Sequence, residues 1–150
     1  MESYTISNKK LFMNKLLKSD LFETFEVREI IIHSATKCIL DGKRNIDFYT
    51  SEELDTLSSY LTWHELRPQT YHLMSGSKLP TYFKIILSTS TTKTLSVSDI
   101  IDTCFLNITF KDNIITCSTA VSYKMFTMDK TPESIWDEKM KYFLFKYEFL

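Results

Sequence analysis

The chain has 150 residues, a net charge of −1, 43% hydrophobic and 14% aromatic residues. Length and apolar content suit one domain (1–150) around one core, with no need of disulfide staples. The near-neutral balance excludes the basic excess of a dedicated nucleic-acid binder, and a glycine count of two, Gly42 and Gly76, excludes a glycine-rich phosphate loop, a dinucleotide fingerprint and a nucleophile elbow.

Phe12, Met13, Leu16 and Leu17 fall at helical spacing and predict a first helix over 8–18, with Ser7 as its cap. A short turn after Ser19 is expected to bury Leu21, Phe22 and Phe25. Residues 27–33 and 36–40 read as two strands, the first because Ile30, Ile31 and Ile32 are consecutive β-branched residues. Asp41-Gly42 then supplies a tight turn. Thr50-Ser51-Glu52-Glu53 matches a capping box, in which hydroxyl and carboxylate each accept the other residue's backbone N–H. Leu54, Leu57 and Leu61 follow at helical spacing, so a second helix is expected to run to Leu66, where Pro68 stops it.

Four strands are expected next, over 70–74, 81–87, 103–110 and 114–128. Ser75-Gly76-Ser77-Lys78 and Lys111-Asp112-Asn113 are the turns between neighbours. Phe83, Ile85 and Leu87 share one face of their strand, as do Cys104, Leu106, Ile108 and Phe110 of theirs. Such alternation implies an antiparallel sheet with one wetter face. The Ser/Thr-rich stretch 88–98 reads as an exposed loop. A last helix is capped by Thr131 with Pro132 at its first position, acids early and lysines late, an order that suits the helix dipole. Its stripe of Trp136, Met140, Phe143, Leu144 and Tyr147 faces a core.

Two clusters are candidate sites. Trp63, His64, Arg67 and His72 offer an aromatic ring, two imidazoles and a guanidinium within ten residues, and the planar fork of Arg67 suits a phosphate or carboxylate. The competing reading has Trp63 and Leu66 packed inward and Arg67 in surface contacts. Ile135, Tyr142, Phe145 and Phe149 lie off the inner stripe of the last helix and are the candidate interface, since exposed aromatic patches mark partner contacts. The competing reading is a helix covered on two sides by its own chain.

Lesser features point less far. Residues 1–18 carry Lys9, Lys10, Lys15 and Lys18 against Glu2 alone, a local patch for weak nucleic-acid contact or a plain solvated face. His33, His64 and His72 have no metal-ligand spacing, and no metal or cofactor is expected. Asp99 and Asp102 read as a cap and a solvated turn. Cys117 sits mid-strand without a base to activate it. Cys38, Cys104 and Cys117 are far apart and odd in number, which indicates free thiols in a reducing compartment, the cytoplasm. No apolar run approaches the ~20 residues that span a bilayer, so no membrane association is expected.

Several strings are familiar in combination: Phe12-Met13 with Leu16-Leu17 and Asp20-Leu21-Phe22, Leu40-Asp41-Gly42, Trp63 with Leu66-Arg67-Pro68, Phe105-Leu106-Asn107-Ile108, Ile115-Thr116-Cys117-Ser118-Thr119 and Phe126-Thr127-Met128-Asp129-Lys130. In this order the chain resembles an uncharacterised family of small proteins from low-GC Gram-positive bacteria, a domain of unknown function. The likeness covers nearly the whole chain. It implies a bacterial, cytosolic protein and supplies no activity, ligand or catalytic residue. The family pattern has glycine where this chain has Ala120, so no glycine-only backbone is implied there.

The reading is an α+β fold. An antiparallel sheet of five to seven strands carries the N-terminal and C-terminal helices on one face, with a third helix between strands. The expected function is non-enzymatic: a module that pairs with itself or another protein. A ligand-binding or enzymatic pocket near Trp63, His64 and Arg67 is the alternative.

Overall fold

Alternating apolar residues build the frame, and the rest of the chain wraps it. The computed structural model describes all residues 1–150. The elements in order are β1 (Ser3–Thr5), α1 (Lys9–Lys18), β2 (Glu26–His33), β3 (Lys37–Asp41), α2 (Ser51–Thr56), α3 (Trp63–Met74), β4 (Tyr82–Ser88), α4 (Thr91–Val97), β5 (Ile101–Lys111), β6 (Ile114–Tyr123) and α5 (Thr131–Lys146). A one-turn 3-10 helix, Ile46–Phe48, precedes α2. The strands form a six-stranded sheet of order β1-β6-β5-β4-β2-β3, every pair antiparallel. The fold is α+β.

One face of the sheet is the core. Ile30 pairs with Ile85, Ile85 with Ile108 and Ile108 with Cys117, so a single buried row crosses four strands. Phe12 and Leu16 of α1, Trp63 and Leu66 of α3, and Trp136, Met140 and Leu144 of α5 complete the same apolar cluster. At ~25 cal/mol per Å² of apolar surface removed from water, this burial is the main force holding the helices to the sheet. Alternate positions on the other face, Lys84, Asn107, Thr109 and Ser118, are only half-buried. Asp112 and Asn113 have φ of 52° and 62°, the left-handed pair that a two-residue hairpin between β5 and β6 requires. Ala120 is a regular strand residue opposite Phe105, consistent with its needing no glycine.

The expected long second helix is instead two helices. The capping box at Thr50 and Glu53 forms, but α2 ends at Thr56, and residues 57–62 run extended. Their backbone bonds to the β2 and post-β3 segments: Leu61 donates to Gly42 at 2.8 Å, and Val27 donates to Leu61 at 2.8 Å. A second capping box, Thr62 with Glu65, then starts α3. Pro68 lies inside α3 rather than ending it, and the expected strand 70–74 is the helix's second half. Proline there removes one helical hydrogen bond and costs ~3 kcal/mol, yet Trp63, Leu66, Thr70 and Met74 are all buried on the opposite face and outweigh it.

Other boundaries differ too. Residues 88–98 hold a short helix, α4, with Thr94 and Val97 buried, rather than an exposed loop. The last strand stops at Tyr123, and residues 124–130 form an exposed segment. Asn8, not Ser7, caps α1, its side chain accepting from Leu11 N–H at 3.2 Å. Ser7 instead donates from both backbone N–H and hydroxyl to the Phe149 carbonyl, at 2.9 and 3.2 Å. Thr131 is already inside α5, and Asp129 accepts its N–H at 2.9 Å. Gly42 makes no left-handed turn. A Cβ there would stand 1.8 Å from the Val27 carbonyl oxygen, so the residue is needed for close approach of two backbones.

Candidate functional site

The N-terminal turn of α3 brings His64, Arg67 and Glu23 together. His64 Nδ1 lies 3.0 Å from the Glu23 carboxylate, and Arg67 reaches the same carboxylate at 4.0 Å while donating to the Ser19 carbonyl. Trp63 points the other way. It is fully buried, and its indole N–H donates to the Leu16 carbonyl at 2.8 Å. Lys18 lies over the Tyr71 ring, and His72 is exposed in the last turn of α3, apart from the His64–Glu23 contact. The helix thus divides the four residues between core, surface ion pair and solvent.

Beside this cluster lies Arg44, 4% exposed although charged. Its guanidinium forks onto Glu65 at 2.8 and 3.0 Å and also donates to the carbonyls of Ser58 and Tyr60 and to the Tyr49 hydroxyl. The Arg44 hydrogen bonds hold the Glu65 carboxyl down to about 2, against an ordinary value near 4.5, although partial burial works in the opposite direction. The same bonds push the Arg44 guanidinium upward. This pair ties the 57–62 segment to α3.

A well-formed cleft lies elsewhere. It has a volume of about 380 Å³ and lies between α4, α5 and the turn at residues 21–25. Val97, Trp136 and Met140 are its buried apolar floor. The Trp136 indole is fixed by donating to the Phe105 carbonyl at 2.9 Å. Lys93 of α4 and Lys139 and Lys146 of α5 stand on its rim, all exposed, and no carboxylate lies within ion-pairing distance of any of them. No aspartate or glutamate lines the cleft. Its α4 wall was hidden from sequence reading by a Ser/Thr content that resembles loop.

The outer surface of α5 is apolar. Ile135, Tyr142 and Phe145 are 36%, 67% and 71% exposed. Phe149 does not join them: Glu148 takes a φ of 64°, the chain turns back, and Phe149 is fully buried against Phe12. Sequence reading missed a second apolar surface. Met125, Phe126 and Met128, just before α5, are at least three-quarters exposed. The signal was the Asp129 and Thr131 start of α5, which leaves these residues no sheet partner.

Of the four lysines near the N-terminus, Lys9 donates to the Asn113 carbonyl at 2.7 Å, and Lys10 and Lys15 face solvent. The thiols are free; burial pushes Cys104 up to about 11 and Cys117 up to about 12, so both stay protonated and unreactive at neutral pH. No group of His, Cys, Asp and Glu is placed to hold a metal ion, and no helix is long and apolar enough to cross a membrane.

No curated protein and no solved structure matches this chain significantly. A family model does, over residues 15–150, which takes in every element from the second half of α1 onward, including both surfaces of α5 and the cleft: the chain belongs to the Family of unknown function (DUF5721).

Proposed function

We propose that the protein is a non-enzymatic self-associating module in which two copies pair through α5. The observation that carries this is the exposed stripe of Ile135, Tyr142 and Phe145, at spacing i, i+7 and i+10, on the face of α5 opposite the core. Such spacing is that of a helix-pairing seam. Charge favours the antiparallel arrangement. Glu138 lies in the N-terminal half of the exposed surface and Lys141 and Lys146 in the C-terminal half, so antiparallel helices set unlike charges together and parallel ones set like charges together. A two-fold contact of this kind is self-complementary: Ile135 of one copy meets Phe145 of the other. It also carries the Met125-Phe126-Met128 segment towards the partner's Leu150 end, which adds area that one helical stripe lacks. The free thiols support a reducing compartment, the cytoplasm, as the place where this happens.

Solution mass by light scattering across a concentration series tests the reading. The intact chain is expected to approach the dimer mass by high micromolar concentration. Phe145→Glu is expected to give a monomer with an unchanged circular dichroism spectrum, because the side chain is exposed and its loss leaves the core intact. An intact chain that stays monomeric throughout overturns the proposal.

A further inference from the structure

The cleft between α4 and α5 shares Tyr142 and Lys146 with the pairing surface, and adds a buried apolar floor and two lysines, Lys93 and Lys139, that pairing through α5 does not use. Its volume of about 380 Å³ lies within the ~300–1,000 Å³ range of small-molecule sites. Its floor is apolar and rigid: Trp136 is 4% exposed and Met140 is 6% exposed. Its rim holds three ammonium groups, of Lys93, Lys139 and Lys146, with no acid among the lining residues. Some charges elsewhere have close partners. Arg44 has Glu65, Arg67 has Glu23, and the Asp137 carboxylate accepts from the Thr119 hydroxyl and lies 3.4 Å from the chain's first amine. At the cleft, three ammonium groups border one apolar floor with no carboxylate within ion-pairing distance.

We infer that the α4–α5 cleft binds a small amphipathic anion, with the apolar body on Val97, Trp136 and Met140 and a carboxylate or phosphate head among Lys93, Lys139 and Lys146. The chemistry follows from the two parts of the wall. An apolar body displaces water from the Trp136 and Met140 surface. An anionic head gains charge-assisted hydrogen bonds from flexible lysine side chains, which come from two elements and can converge. A cation gains nothing there, and a neutral amphiphile gains only the floor. Ser90 and Thr24 add hydroxyls to the rim.

The test uses the intact chain and four probes: decanoate, decanol, decyltrimethylammonium and inorganic phosphate. Titration calorimetry reads affinity, and amide chemical-shift mapping reads location. Decanoate is expected to bind with a Kd of about 10⁻⁴ M, the range open to a ligand of its size, and to shift amides of α4, the 21–25 turn and the inner side of α5. Decanol and phosphate alone are expected to bind at least about tenfold more weakly, the worth of one charge-assisted hydrogen bond, and the cation not at all. Replacing Lys93, Lys139 and Lys146 together by Gln is expected to cost decanoate at least about tenfold while leaving the melting temperature unchanged, since all three are exposed. Equal binding of decanoate, decanol and the cation, retained affinity in the triple variant, shifts mapped to another surface, or no binding at all would each overturn the inference. The cleft shares Tyr142 and Lys146 with the pairing surface, and the Phe145→Glu variant separates the two readings. Phe145 does not line the cleft, so Phe145→Glu is expected to leave decanoate affinity within about twofold.

Discussion

The corner where α3 begins and the cleft between α4 and α5 use their polar residues in opposite ways. At the corner, polar side chains close in sequence face different directions and find partners: Trp63 on Leu16, His64 and Arg67 on Glu23, Glu65 on Arg44. At the cleft, the side chains of residues 93, 139 and 146 line one rim and meet no carboxylate. Chemistry that is dense in the sequence has become architecture. Chemistry assembled from distant segments has stayed open to solvent. A cluster of polar residues on one helix spans too many directions to form a concave site. Separate elements can aim side chains at a common point.

Substitutions at the corner should therefore cost stability, and substitutions at the cleft should not. The largest loss is expected from Trp63→Ala, about 4 kcal/mol by urea denaturation, because a fully buried ring leaves a cavity and the Leu16 carbonyl loses its donor. A loss of under 1 kcal/mol would mean that the corner is not structural. Gly42→Ala should follow at about 3 kcal/mol, as the new methyl group would overlap the Val27 carbonyl and separate the segments that Leu61 joins.

Glu65 gives an intermediate effect with a defined pH signature. Its folded carboxyl is held well below the ordinary value, so its contribution is complete above about pH 4.5 and is lost as pH falls toward 2. Its side chain is 34% exposed, and with solvent screening the contribution is about 2 kcal/mol. Glu65→Gln is expected to lower stability by that amount at pH 6 and to flatten the fall between pH 5 and pH 3. Denaturant midpoints at both pH values check it, and parallel curves for the two proteins would contradict it. At the small end, Lys146→Gln in the cleft should change stability by no more than about 0.5 kcal/mol. A larger loss would show that the cleft lysines are structural and would erase the contrast.

The sheet was legible where side chains alternate. Phe83, Ile85 and Leu87, and Cys104, Leu106 and Ile108, sit on the buried face that their period of two implies. The Asp112-Asn113 turn was legible because few residue pairs accept two left-handed conformations. The helices were less so. Leu54, Leu57 and Leu61 fit a helix by spacing, but Leu61 gives its N–H to Gly42, a bond to a residue nineteen positions back that no local pattern reveals. The Thr62–Glu65 capping box was visible as text. Pro68 spoke against a helix through it, and only burial of Leu66, Thr70 and Met74 overrides that signal. Of the candidate sites, exposure of Ile135, Tyr142 and Phe145 agreed with their place off the inner stripe. Phe149 did not, because the reversal at Glu148 lies beyond the helical period that grouped them. The cleft was not legible at all, since one of its walls is a helix rich in Ser and Thr.

The bonds between Ser7 and the Phe149 carbonyl, which span 142 positions, also set an order of events during synthesis. The chain is made from its amino end at ~5–20 residues per second. The hairpins β2–β3 and β5–β6 need only neighbours and can close as they emerge. The aromatic face of α1 cannot: Phe12 stacks its edge on Phe149 and Phe22, and β1 has no partner until β6 exists. α1 therefore docks fully only after Phe149 and β6 have been made. Until then Phe12 and Phe22 lack the ring that covers them, and Phe149 is what takes that surface away.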